Sequence, residues 1–274
     1  MRRSIERLAL ALAIPAALAA AAALPAQQET TRTDHAAKIK TLSDQLRPHT
    51  GDGGLEHYIA IKDAVSKDLL SEIDAYIAES FPADSSAAQV KAGLDATLGY
   101  KEGDLEQSIV FLTNLPAGRF LIVGIELPGA GTSEREGYGD SVCFRAYAES
   151  GGKFTYTAST GDLSNSALYG LNAQVLKVPP VAGQFWFVAW ADVPPLSPYK
   201  IAAQLYAFDG KSFFMVWEPE VFISSSIDDA VQLASNGDIV INRMPDFQSQ
   251  IILHQQYAVT ADGPQKIIEW TTLR

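Results

Sequence analysis

The spacing of hydrophobic residues changes period once along this chain, and the change separates two regions. From Ala36 to Leu46, apolar Ile39, Leu42 and Leu46 recur at helical spacing and stop before Arg47-Pro48. Between Leu55 and Phe81, residues Ile61, Val65, Leu69, Ile73 and Ile77 recur every four, with Leu70 and Tyr76 widening the stripe. That spacing predicts one long or two abutting amphipathic helices, ended by Pro82. Ser86 followed three residues later by Gln89 is a capping-box pattern. It opens a third helix with Val90, Leu94 and Leu98 facing inward and Gly99 as terminator.

Beyond Gly99 the pattern is one of short strands between turns. Segments 107–115, 119–127, 141–149 and 153–159 form a group of four. The same order returns at 171–178, 184–191, 200–208 and 212–217, and again near 229–234, 238–243, 250–259 and 265–271. Each group has a strand led by a glycine (Gly118, Gly183, Gly237) and a Tyr-Ala strand (Tyr147, Tyr206, Tyr257) running into a glycine turn. The alignment puts Phe120, Trp186 and Ile239 at one equivalent position, and Trp217 and Trp270 at another. Residues Phe185 to Trp190 are apolar on consecutive positions, as in a strand buried on both faces. Such self-similarity marks stacked supersecondary units that cannot bury their own faces alone.

In composition and order the three units resemble blades of a β-propeller. The expected fold is mainly β with an N-terminal helical segment, built from three four-stranded antiparallel repeats in a partial, propeller-like array. A prism- or trefoil-like arrangement is the alternative. Three blades are too few to close a propeller ring, and an open apolar face is an aggregation hazard. The expected layout is a signal peptide over 1–26, a disordered stretch over 27–35, helices over 36–99 and an all-β domain over 100–274. Its units run about 105–160, 170–217 and 228–274.

Composition adds a destination. Arg2, Arg3 and Arg7 make a basic start, a run rich in Ala and Leu covers Leu8 to Ala23, and Leu24-Pro25-Ala26 precedes polar Gln27-Gln28. That is the order of a secretory signal peptide with cleavage after Ala23 or Ala26, which implies a periplasmic or extracellular protein without a membrane span after processing. Removing residues 1–26 takes away three arginines and Glu6, so the formal charge moves from −11 to −13. A chain this acidic repels nucleic acid and anionic lipid. Cys143 is the only cysteine, which excludes an internal disulfide, and its apolar neighbours read as core rather than as a nucleophile's surroundings.

Chemistry is sparse. The sequence has no nucleophile elbow, Walker loop, dinucleotide glycine pattern or Cys/His metal spacing, and no cofactor is expected. His49, Asp52, Glu56 and His57 cluster without matching a zinc pattern, and His254 reads as a strand residue with a satisfied hydrogen bond. The longer loops, 128–140, 192–199 and 244–249 together with 160–170 and 218–228, emerge on one side of a four-strand meander. From that side we single out Tyr138, Asp140, Tyr199, Asp228, Asp246 and Phe247 as binding residues, because exposed aromatics and acids on rigidly mounted loops suit recognition. The expectation is non-covalent binding of a protein, peptide or glycan. One alternative is hydrolysis of an extracellular polymer by Asp228-Asp229 or Glu218/Glu220. Another is an assembly module completed as a homodimer.

The leader generates the first test. N-terminal sequencing of exported protein is expected to begin at Leu24 or Gln27, and recovery of an intact Met1 chain from washed membranes would contradict it.

Overall fold

A computed structural model of the chain describes residues 34–47, 54–100, 107–127, 141–161, 168–193 and 199–274. Three helices come first: α1 over 34–46, α2 over Gly54–Ser80 and α3 over Ala87–Leu98. The stripe of α2 forms one continuous helix, with Val65, Leu69, Ile73, Tyr76 and Ile77 all buried. The capping box forms as its sequence requires, with Ser86 and Gln89 bonding reciprocally, and Gly99 ends α3 at φ 79°, a conformation open to glycine. The first helix starts at Asp34, two residues earlier than its apolar spacing suggested. Asp34 and His35 therefore belong to it rather than to a disordered leader, and His35 Nδ1 lies 2.6 Å from Glu72 on α2.

Three antiparallel sheets follow. Sheet 1 holds β1 (Ile109–Leu115), β2 (Gly118–Leu127), β3 (Ser141–Ser150) and β4 (Lys153–Ser159). Sheet 2 holds β5 (Tyr169–Val175), β6 (Phe185–Asp192), β7 (Tyr199–Phe208) and β8 (Phe213–Trp217). A short strand that sequence reading missed, β9 (Phe222–Ser224), joins sheet 2 by pairing with the start of β7. Sheet 3 holds β10 (Val231–Leu233), β11 (Ile239–Arg243), β12 (Ile251–Thr260) and β13 (Gly263–Leu273).

The layers stack in series. Helix residues pack with Leu121, Val123, Ile125, Tyr147 and Phe154 on the front face of sheet 1. The back face of sheet 1 (Phe120, Ile122, Phe144) meets the front of sheet 2 (Phe187, Tyr206, Phe208). The back of sheet 2 (Trp186, Val188, Trp190) meets the front of sheet 3 (Val231, Ile239, Ile241). No core cluster of described residues joins sheet 1 to sheet 3, so the array is a partial, propeller-like stack rather than a prism or trefoil, where each sheet would touch both others. The consecutive apolar residues of β6 follow directly, since that strand is covered on both sides.

Strand register tests the repeat alignment residue by residue. Tyr147, Tyr206 and Tyr257 are equivalent, because each stands immediately after a β-bulge between the third and fourth strands of its sheet. Their cross-strand partners on the second strand are Leu121, Phe187 and Ile239. Phe120 and Trp186 match each other, both opposite the following alanine, but Ile239 belongs one position away. Trp217 and Trp270 do not match either. Trp217 pairs with the residue before its tyrosine, and Trp270 with the residue three before. Both errors come from differing strand and turn lengths among the units: the tyrosine's partner lies three, four and two residues after the leading glycine, and the tryptophan 11 and 13 residues after the tyrosine.

Packing between sheets depends on volume exchange. At the position three before the tyrosine, the paired residues are Gly124 with Phe144 and Trp190 with Ala203. One large residue fills each pair, and a Cβ added at Gly124 would lie 2.6 Å from the Phe144 ring and 3.1 Å from Leu171. Glu126, buried on the same strand, takes the backbone N–H groups of Gly170 and Leu171 at 3.0 and 3.1 Å, tying sheet 1 to the entry of sheet 2. Trp186→Ala is expected to cost about 3–5 kcal/mol in chemical denaturation because Trp186 is buried in the sheet 2–sheet 3 core. Gly124→Ala is expected to destabilise by about 1–3 kcal/mol through overpacking.

Candidate functional site

A polar group recurs on the front face of each sheet. The residue two before the tyrosine is Arg145, Gln204 or Gln255. In sheet 3, Gln255 donates to Glu269 at 2.8 Å, and Tyr257 donates to Gln255 at 3.1 Å. In sheet 2, Gln204 donates to Glu218 at 2.5 Å, and Tyr206 donates to Gln204 at 2.7 Å. Glu218 and Glu269 thus stand at matching places beside the glutamine. In sheet 1 that place is Ser159, which pairs with Arg145 across the strands and has no charge to offer. The acid comes instead from the helical layer: Asp74 of α2 takes Arg145 Nε at 2.9 Å, a second bond from Arg145 Nη2, and the Tyr147 hydroxyl at 2.8 Å.

The electrostatics of this group follow from burial. Burial alone pushes the Arg145 guanidinium down, but its bonds to Asp74 and the neighbouring negative groups more than reverse that, so it stays firmly protonated. Burial, and then the charge of Asp74, push the Tyr147 hydroxyl well above its ordinary value, so it remains a donor. In sheet 2 burial and then Glu218 raise Tyr206 in the same way. Arg145 also stacks on the Tyr156 ring, 4.2 Å from its centroid.

Arg145 and Asp74 form the floor of a cleft of about 440 Å³ between α2 and sheet 1. Lys62 and Lys67 of α2 stand on its wall with Ser66 and Ser71, and Leu127, Cys143, Ser159 and Gly161 close the other side. Those last four mark where the 128–140 and 160–168 loops leave sheet 1, so the cleft opens on the long-loop edge. Among the described residues, neither Lys62 nor Lys67 belongs to an ion pair, while Arg145 and Asp74 neutralise each other. Among the described lining residues Asp63 is the remaining acid, which leaves that lining net positive within an acidic chain.

Of the residues selected from sequence, the four that the structure describes fall on the same edge but not in this cleft. Tyr138 and Asp140 lie outside the described residues. Tyr199 opens β7 opposite Ser224 of β9, half-buried against the core between sheets 2 and 3 rather than presented to solvent. Ile223 of β9 in turn bridges to Met244, so β9 stitches the loop ends of sheets 2 and 3 together. Asp228 is exposed in the turn before β10, Asp246 is exposed beyond β11, and Phe247 beside it is 45% exposed. Several acids of this edge are engaged internally: Asp192 accepts from Lys200 N at 2.9 Å, Asp229 from Gln232 at 3.3 Å and Asp246 from Gln248 N at 2.8 Å.

Lys62, Lys67, Asp74 and Arg145 escaped sequence reading, yet one signal was present. Arg145 interrupts the apolar run Val142-Cys143-Phe144, and a cation on a buried strand needs an acid brought to it. His49 and Asp52 lie outside the described residues, as do the side chains of Glu56 and His57. Among the described residues no group of three His, Cys, Asp or Glu side chains could hold a metal ion. His254 bonds Asn242 at 2.7 Å and Thr272 at 2.8 Å, as its strand position suggested. No described helix is long and apolar enough to cross a membrane. No family model, curated protein or solved structure matches the chain.

Asp192 supplies a pH test. Burial pushes its carboxyl above the ordinary value, against the backbone bonds from Lys200 and Val193. An acid whose folded pKa is raised costs stability once pH exceeds its unfolded value, and the cost fades as pH falls below both. Asp192→Asn keeps an oxygen acceptor without the charge. We expect it to raise the melting temperature at neutral pH, with the difference disappearing in acid below the ordinary carboxylate range. A gain that persists unchanged at low pH would contradict this.

Proposed function

We propose that the protein acts by non-covalent recognition on its long-loop edge, with the cleft between α2 and sheet 1 as the receptor for a polar ligand that bears a carboxylate. The observation that carries this reading is the pair Lys62 and Lys67 standing, without carboxylate partners among the described residues, over a floor already neutralised by Arg145 and Asp74. Two ammonium groups beside hydroxyls from Ser66, Ser71 and Ser159 supply charge and directional hydrogen bonds, while Leu70 and Leu127 offer apolar contact. Asp192, Asp229 and Asp246 of the loops already accept hydrogen bonds within the fold, which favours an anionic ligand at the two lysines. Placement outside the cytoplasm remains part of this proposal and rests on the leader.

Hydrolysis receives no support of this kind. Glu218 accepts from Gln204, and Asp229 from Gln232, so one acid of each alternative pair is already engaged within the fold.

The test is thermal denaturation and calorimetric titration of the exported protein with galacturonate oligomers and their neutral galactose counterparts. The acidic series should raise the melting temperature, bind more weakly as salt increases, and lose at least ~10-fold in affinity in Lys62→Ala/Lys67→Ala. That double variant should keep its unliganded stability within about 0.5 kcal/mol, since Lys67 is exposed, Lys62 is only half-buried and neither belongs to an ion pair among the described residues. Equal response to neutral and acidic oligomers, no response to either, or undiminished binding by the double variant would overturn the assignment.

A further inference from the structure

The stack ends on the back face of sheet 3, and we propose that this face joins a second copy of the chain about a two-fold axis. Register places Val240, Asn242, Ile252, His254, Ile268 and Trp270 on that face, since their partners facing sheet 2 alternate with them. The equivalent faces of sheets 1 and 2 are each covered by another sheet. Here Trp270 and Ile268 are 38% and 51% exposed.

The choice of occupant comes from the polar members of the face. His254 uses both ring nitrogens, on Asn242 at 2.7 Å and Thr272 at 2.8 Å, and its ring stacks on Trp270 with centroids 5.0 Å apart and 13° between planes. Asn242 donates to the Asp229 carbonyl at 2.5 Å, and Gln256 donates to Asp238 at 2.6 Å. Polar groups already bonded within the sheet lose little on being covered by protein, because none is left unsatisfied. A sugar, by contrast, is recognised through donors and acceptors that point outward. Up to Thr272 the face carries no Lys, Arg or Glu, with Arg274 only at its rim, and the carboxylate of Asp238 is buried and bonded. In a chain with formal charge −11, two copies meet at least electrostatic cost where charge is absent, and a two-fold axis sets this neutral, self-complementary patch against itself.

Size sets the strength. Strands of ten and eleven residues beside β11 span roughly 30 Å by 15 Å, or roughly 900 Å² over both copies, the size of a weak interface, which fits a dimer of roughly tens of micromolar. Sedimentation equilibrium of the exported protein from about 1 to about 200 μM brackets that range. We expect a monomer–dimer equilibrium that Trp270→Asp and Ile268→Asp each weaken at least ~30-fold and that Trp270→Phe leaves within ~3-fold. Added salt should tighten the dimer or leave it unchanged, since it screens the repulsion of two acidic chains. Unfolding midpoints measured at 1 μM, where monomer predominates, show that the variants are folded. A wild type that stays monomeric throughout, a dimer that both aspartate variants leave intact, or one that salt dissociates would each overturn the proposal. So would saturable binding of a neutral polysaccharide lost with Trp270.

Discussion

The ion pair of Arg145 with Asp74 determines where the helical layer sits, and much else in the molecule follows from that seat. Sheet 1 presents a front face that in the other two sheets is covered by the preceding sheet. Among the described residues no sheet precedes it, and a buried guanidinium without an acid would cost several kcal/mol. Helix α2 answers both needs, laying Leu69, Ile73 and Ile77 on the apolar part of the face and Asp74 against its buried cation. The cleft exists because a helix laid on a sheet leaves an open margin at the strand ends, where Lys62 and Lys67 stand. Fold and candidate site therefore share one interaction.

Serial stacking also explains the gradient of polarity through the repeats. The position three before the tyrosine is Phe144 in sheet 1, Ala203 in sheet 2 and His254 in sheet 3. The position one before it is Ala146, Leu205 and Gln256. The first two sheets bury these residues between layers, whereas the last turns them outward, and there the side chains are polar but mutually bonded. Terminal units of repeat proteins carry such substitutions because no further unit covers them.

The architecture was largely legible from periodicity. Spacing of four in α2, the capping box at Ser86 and the recurring glycine and tyrosine strands each correspond to an element whose local chemistry and tertiary burial agree. Register was not legible, because the units differ by one or two residues in strand and turn length without leaving a mark in composition, and Trp217 and Trp270 were misaligned as a result. Strand β9 was lost for a similar reason: three residues are too few to display a period. The site was the least legible part. Asp74 and Arg145 are 71 residues apart, and only tertiary packing brings them together. Loop composition drew the eye to one edge of the sheets, but much of the polarity there serves turns, as the bonds of Asp192 and Asp246 show.

Seating of the helical layer by a substitute acid is open to a direct rescue measurement. Removing the acid in Asp74→Ala leaves Arg145 buried beside Ser159, the position that carries Glu218 or Glu269 in the other sheets. Urea unfolding should show that Asp74→Ala costs about 3–5 kcal/mol and that adding Ser159→Glu restores at least half of it, although Ser159→Glu alone gives no gain. Additive effects, with Ser159→Glu failing to recover any stability in the Asp74→Ala background, would contradict the equivalence of helix and strand acids.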